Sequence, residues 1–104
     1  MTRSFVFTSR AATDAMNIWE YLADEAGEST ADHVLAKIYD ECQKLGEFPG
    51  IGHFREELLG KEFKFHSVWS YVIAYRHKPR PIQVIALVHG KRNLEAFFRV
   101  RTRR

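Results

Sequence analysis

Cysteine is almost missing from this 104-residue chain, Cys42 being its only one. No internal disulfide can form, which gives no support to a secreted, disulfide-stapled scaffold. No apolar run approaches the ~18 residues of a membrane span. Residues 1–10 also lack the apolar stretch of a signal peptide. These absences predict a cytoplasmic protein with no membrane partner. There is no G-x-S-x-G elbow, Walker-type loop or G-x-G-x-x-G, and no internal repeat or low-complexity tract. Pro49-Gly50-Ile51-Gly52 is glycine-rich but does not join a strand to a helix, so it reads as a loop former rather than a phosphate cradle. The five histidines (33, 53, 66, 77 and 89) never fall at the i, i+4 spacing of helical zinc sites. The expectation is no metal and no cofactor.

What is present suits a single domain over residues 1–104. Hydrophobic residues make up 45% and charged residues 28%, a mix that argues against disorder. The formal net charge of +3 hides a division. Residues 1–60 carry 5 Lys/Arg against 11 Asp/Glu, a balance of −6, whereas residues 61–104 carry 11 against 2, a balance of +9. Such asymmetry suggests an anionic partner for the basic half.

Phe5-Val6-Phe7 reads as a short strand. Ser9 then offers a helix N-cap, and Ala15, Ile18, Trp19, Leu22 and Ala26 recur at steps of three and four along one helical face. Gly27 can end that helix. Ser29 restarts the pattern as a second N-cap, and Ala31, Leu35, Ile38, Cys42 and Leu45 form the next stripe, with Gly46 as its terminator. Only two or three residues join the helices, which predicts an antiparallel hairpin.

The period changes in the second half. Phe63 and Phe65 alternate with Lys64 and His66, and Trp69–Arg76 is rich in aromatic and β-branched residues. Lys78-Pro79-Arg80-Pro81 is a turn. Ile82–His89 is nearly continuous in apolar residues and belongs in the centre of a sheet. Asn93 can cap a short helix holding Leu94, Phe97 and Phe98. The predicted fold is α+β: a small antiparallel sheet of one N-terminal and three C-terminal strands, packed against a helical hairpin, in the order β-α-α-β-β-β with a short C-terminal helix.

Lys64, Arg76, Lys78, Arg80, Lys91, Arg92, Arg99, Arg101, Arg103 and Arg104 make the C-terminal half basic. They read either as a surface that meets phosphate or an acidic protein segment, or as a solvated polar face. His66 and His89 are acid–base candidates, since imidazole titrates near pH ~6.5. Cys42 lies on an apolar stripe and reads as a buried structural thiol. Asp14, Glu20, Asp24, Glu25, Asp40 and Glu41 read as the solvent faces of the hairpin.

Five pieces in order carry a resemblance: Ile18-Trp19-Glu20-Tyr21-Leu22 in the hairpin, Phe48-Pro49-Gly50-Ile51-Gly52, Arg55-Glu56-Glu57-Leu58, Tyr71-Val72-Ile73-Ala74-Tyr75-Arg76, and Val88-His89-Gly90-Lys91-Arg92-Asn93. Over nearly its whole length the chain resembles the ParE branch of the RelE/ParE toxins of bacterial type II toxin–antitoxin systems. The resemblance implies neutralisation by a cognate antitoxin in a hetero-oligomer, and a ParE-like action that inhibits DNA gyrase and replication by binding. The RelE alternative is a ribosome-dependent mRNA endoribonuclease. Its basic positions match Lys64 and Arg92, and His66 offers itself as a further group. Its middle-strand arginine, however, falls near Tyr71 or Val72, and its late tyrosine near Phe98, which has no proton to transfer. A non-toxic relative acting as corepressor or binding module is the second alternative. For antitoxin or target binding the candidates are Lys64, Arg76, Lys91, Arg92, Arg99 and Arg101, with the tail running to Arg104.

Overall fold

The computed structural model describes residues 4–101. Arg103 and Arg104, placed on the basic surface by the sequence, lie outside the described residues. The elements are β1 (Phe5–Phe7), α1 (Ser9–Ala26), α2 (Glu28–Glu47), a 3-10 turn (Pro49–Ile51), β2 (Phe63–Val68), β3 (Tyr71–Arg76), β4 (Ile82–His89) and α3 (Leu94–Arg101). The four strands form one sheet in the order β1-β4-β3-β2. The α+β architecture is as expected, and β4 is central.

One pairing departs from the all-antiparallel expectation. β3 pairs antiparallel with both β2 and β4, but β1 runs parallel to β4, with Phe5 opposite Ile82 and Phe7 opposite Val84. Short turns force antiparallel pairing, whereas a parallel pair needs a long crossover. The helical hairpin supplies that crossover between β1 and the later strands, so the sheet is mixed.

Helix ends also differ by a residue or two. Thr8, not Ser9, caps α1: its backbone is extended and its hydroxyl accepts from Ala11 N at 3.2 Å. Gly27 alone joins the helices, at φ 95°, a conformation that penalises a side chain. It takes the N-cap position of α2 in place of Ser29, with no side-chain cap bond. Gly46 does not end α2, which continues to Glu47. Instead a Cβ at Gly46 would overlap the Ser4 carbonyl oxygen and side chain, so the glycine lets the end of α2 lie against the start of β1. The expected strand over 69–76 begins at Tyr71, because Trp69 (φ 52°) and Ser70 turn the chain between β2 and β3.

The sheet is covered on both faces. The hairpin packs on one, where Leu35, Ile38, Cys42 and Leu45 meet Ile73, Tyr75, Ile82, Val84 and Leu87. α3 packs on the other, where Phe98 is wholly buried among Phe63, Phe65, Val72, Ala74, Ala86 and Val88. A bulge couples the two cores. Tyr75 pairs with Val84 while Ala74 pairs with Ala86, leaving Ile85 as the extra residue. Strict alternation would put Val84 and Leu87 on opposite faces; the bulge brings both to the hairpin side. The near-continuous apolar run of β4 thus serves two cores. Among the described residues no helix is long and apolar enough to cross a membrane.

Candidate functional site

The most distinctive surface begins where β1 stops. β1 covers β4 only as far as Val84, although β4 continues to His89. Side chains stand in for the missing strand. Asp14, from α1, accepts from Leu87 N at 3.0 Å, and Arg101, from α3, donates to Ile85 O at 2.6 Å. The two also pair with each other, Arg101 Nη2 to Asp14 Oδ1 at 2.9 Å and Nη1 to Oδ2 at 3.0 Å. Both side chains are little exposed, at 13% and 14%. This two-pronged pair ties α1, β4 and α3 together.

Beyond Leu87 the edge opens into a groove of about 830 Å³ between α1 and the end of β4. Ile18, Leu22 and Val34 give it an apolar wall, while the exposed rings of Tyr21 and Trp69 stand among its lining. Tyr71 meets His89 edge-on at 5.2 Å. Burial, together with nearby Tyr21, raises the Tyr71 phenol above its ordinary pKa. Lys91 and Arg92 also line the groove, both exposed. Arg92 lies over the Phe97 ring at 5.1 Å. A groove of this kind suits an apolar chain carrying anionic groups at one end.

The remaining basic candidates are scattered and mostly spent. Arg76 pairs with Glu62 at 2.9 Å, and Arg99 with Glu95 one helical turn away at 3.4 Å. Arg101 is held by Asp14. Lys64 lies over Phe54, 4.9 Å from the ring centre. Lys64 is opposite Tyr75, and Tyr75 is opposite Val84. Arg92 follows His89, so Lys64 and Arg92 stand toward opposite ends of the sheet, roughly 16 Å apart along the strand direction. They form no single cluster.

His66 and Glu41 make a second polar centre, on the hairpin side of β2. His66 Nε2 lies 2.9 Å from Glu41 Oε1, and Lys37 and Lys44 reach Oε2 at 3.4 and 3.2 Å. A carboxylate only accepts, so Nε2 carries the proton. The His66 bond, helped by Lys44 and Lys37, outweighs the cost of burial and lowers the Glu41 carboxyl to about 2. Glu20, Asp24, Glu25 and Asp40 are solvent-facing as expected, but Glu41 and Asp14 are not. Asp14 is three residues beyond Ala11 and four before Ile18, which places it beside the buried stripe. That position was the available signal for an inward-facing acid.

Cys42 is buried as expected, and burial, with Glu41 adding a neighbouring charge, pushes its thiol up to about 12. Such a thiol stays protonated and unreactive. Tyr71, Val72 and Phe98, at the positions where an RNA-cleaving site would need an arginine and a tyrosine, are all core residues. Among the described residues no three His, Cys, Asp or Glu side chains gather as metal ligands.

Comparison with known proteins adds two findings. The family model described as "ParE toxin of type II toxin-antitoxin system, parDE" matches residues 5–94. A solved chain titled "Chromosomal ParDE TA system from P. aeruginosa" has the same fold, with a TM-score of 0.71 and 19% identity, covering 85% of this chain and 96% of that one. No curated protein sequence matches.

Proposed function

We propose, from the premise that this chain belongs to the ParE toxin family of type II toxin–antitoxin systems, that it arrests growth by binding DNA gyrase and is neutralised by a cognate antitoxin. The single observation that best supports a binding role is the open groove beside β4, apolar along α1 and cationic at Lys91 and Arg92. Neither cation has a carboxylate partner among the described residues, so both are available to a partner. A binding mode is supported further by Phe98. An aromatic ring without a hydroxyl, wholly buried in the second core, is a packing anchor and not a proton donor. Of the sequence candidates, Lys91 and Arg92 are the recognition residues, with Lys64 a separate cation near the far end of β2. Arg101 serves mainly to hold the fold, while Arg76 and Arg99 make exposed surface pairs with Glu62 and Glu95. The chain acts inside the cell, where gyrase and antitoxin are found.

Induced expression in a bacterial host tests this reading. Growth should stop with filamentation, and co-expression of the cognate antitoxin should restore it. Unimpeded growth with folded toxin present would overturn the proposal.

A further inference from the structure

We infer that the pocket between the start of α1 and α3, where Arg10, Arg92 and Arg101 gather around Phe97, is a separate binding site that takes the sugar–phosphate backbone of duplex DNA. The choice of DNA among phosphate-bearing chains rests on the gyrase reading above, since DNA is that enzyme's substrate. The chemistry of the site rests on its side chains.

The pocket has a volume of about 650 Å³ and shares only Arg92 with the groove beside β4. Its three arginines come from three parts of the chain: the first turn of α1, the turn after β4 and the end of α3. The Phe97 ring gathers two of them. The guanidinium carbon of Arg92 lies 5.1 Å from the ring centre and that of Arg101 4.7 Å. Arg10 Nη1 donates to Arg101 O at 2.9 Å, which brings the third cation to the end of α3. Asp14 is already engaged by Arg101 and by Leu87 N. Among the described residues no Asp or Glu lines the pocket, and neither Arg10 nor Arg92 has a carboxylate partner. Like charges drawn together without a counter-ion repel one another, and a bound anion removes that cost.

The other polar side chain of the lining has the same character. Asn93 Oδ1 accepts from Ala96 N at 3.0 Å, so its amide group is left to donate. The side chains of the pocket therefore offer donors alone. A peptide brings an N–H for nearly every C=O, and its N–H groups would go unmatched here. A phosphodiester chain carries acceptors on every phosphate, and each guanidinium fork can hold two phosphate oxygens at once. Phe97 and Val100 give the sugars an apolar contact. Contacts of this kind read the backbone and not the bases, so binding is independent of sequence and sensitive to salt.

Fluorescence anisotropy of a labelled twenty-base-pair duplex, titrated with the full folded chain from about 50 to 200 mM salt, tests the inference. Affinity should fall steeply as salt rises. Arg10→Gln keeps a donor for Arg101 O but removes one charge. It should weaken DNA binding about fivefold and lower the slope of log affinity against log salt by about one. Lys61→Gln removes the same charge just before β2, at the opposite edge of the sheet from β1, and should change both far less. No binding of the duplex at about 50 mM salt, or equal losses in the two variants, would overturn the inference. Gyrase inhibition, read separately by supercoiling, would then still stand. DNA binding with supercoiling untouched would keep the site and overturn the gyrase reading instead. Tighter binding of a single-stranded RNA of the same length would overturn DNA as the occupant in favour of RNA. Displacement of the duplex by oligoglutamate at equal charge concentration would overturn it in favour of an acidic protein segment.

Discussion

Asp14 and Arg101 stand 87 residues apart in sequence and form a two-pronged ion pair, with contacts at 2.9 and 3.0 Å, over the gap that β1 leaves beside β4. Each also bonds a β4 peptide group, so the pair is both a clamp on α3 and a substitute for a strand.

Removing one partner leaves the other charge poorly solvated. Arg101→Ala should destabilise the chain by about 2–4 kcal/mol in urea denaturation, because Asp14 loses its counter-ion and Ile85 O its donor. Asp14→Ala should cost a similar amount. The double variant should cost clearly less than the two single losses added, by about 1 kcal/mol or more. Additive losses would show that the two residues act independently.

Tyr75 locks the loop before β2 to the sheet. Its hydroxyl donates to Pro49 O at 2.7 Å and accepts from Gly52 N at 3.0 Å. The ring is wholly buried, so Tyr75→Phe keeps the packing but strips a buried N–H and a part-buried C=O of their partner. A loss of about 1–3 kcal/mol is expected. Thermal unfolding measures it, and an unchanged midpoint would mean that water replaces the hydroxyl without cost.

Glu41 gives the fold an acid-sensitive element. Its folded-state pKa of about 2 lies below the ordinary 4.5, so the folded state prefers the ionised form. The stabilisation is present in full above pH ~4.5 and is lost as pH falls toward 2. After allowance for solvent screening it amounts to roughly 1–2 kcal/mol. Urea midpoints measured from pH 6 down to 2 should fall less steeply in Glu41→Gln than in the parent chain. Parallel curves would remove Glu41 from the account.

The sequence pattern reached the two long helices, the three C-terminal strands and the central place of β4, because each rests on local periodicity. It missed features that depend on distant partners. Gly46 looked like a helix stop because nothing local shows that Ser4 will lie against it. Thr8 and Ser9 can both cap a helix, and the extended backbone at Thr8 chose between them. The parallel direction of β1 could not be read from three residues whose partner lies beyond the helical hairpin. The groove was half legible. Lys91 and Arg92 stood out by charge, but β4's open edge exists only because β1 stops at Phe7. Asp14 and Arg101 find each other only once α3 has folded back across the sheet. The charge division also changes meaning. Three of the eleven cations in the basic half, Arg76, Arg99 and Arg101, pair with Glu62, Glu95 and Asp14, and the two at the groove, Lys91 and Arg92, have no carboxylate partner among the described residues.

Gyrase-catalysed supercoiling of relaxed plasmid, followed as folded toxin is titrated in, tests the central claim most directly. Binding to gyrase predicts a dose-dependent loss of supercoiled product that returns when antitoxin is added first. Full supercoiling at a large molar excess of folded toxin would contradict it.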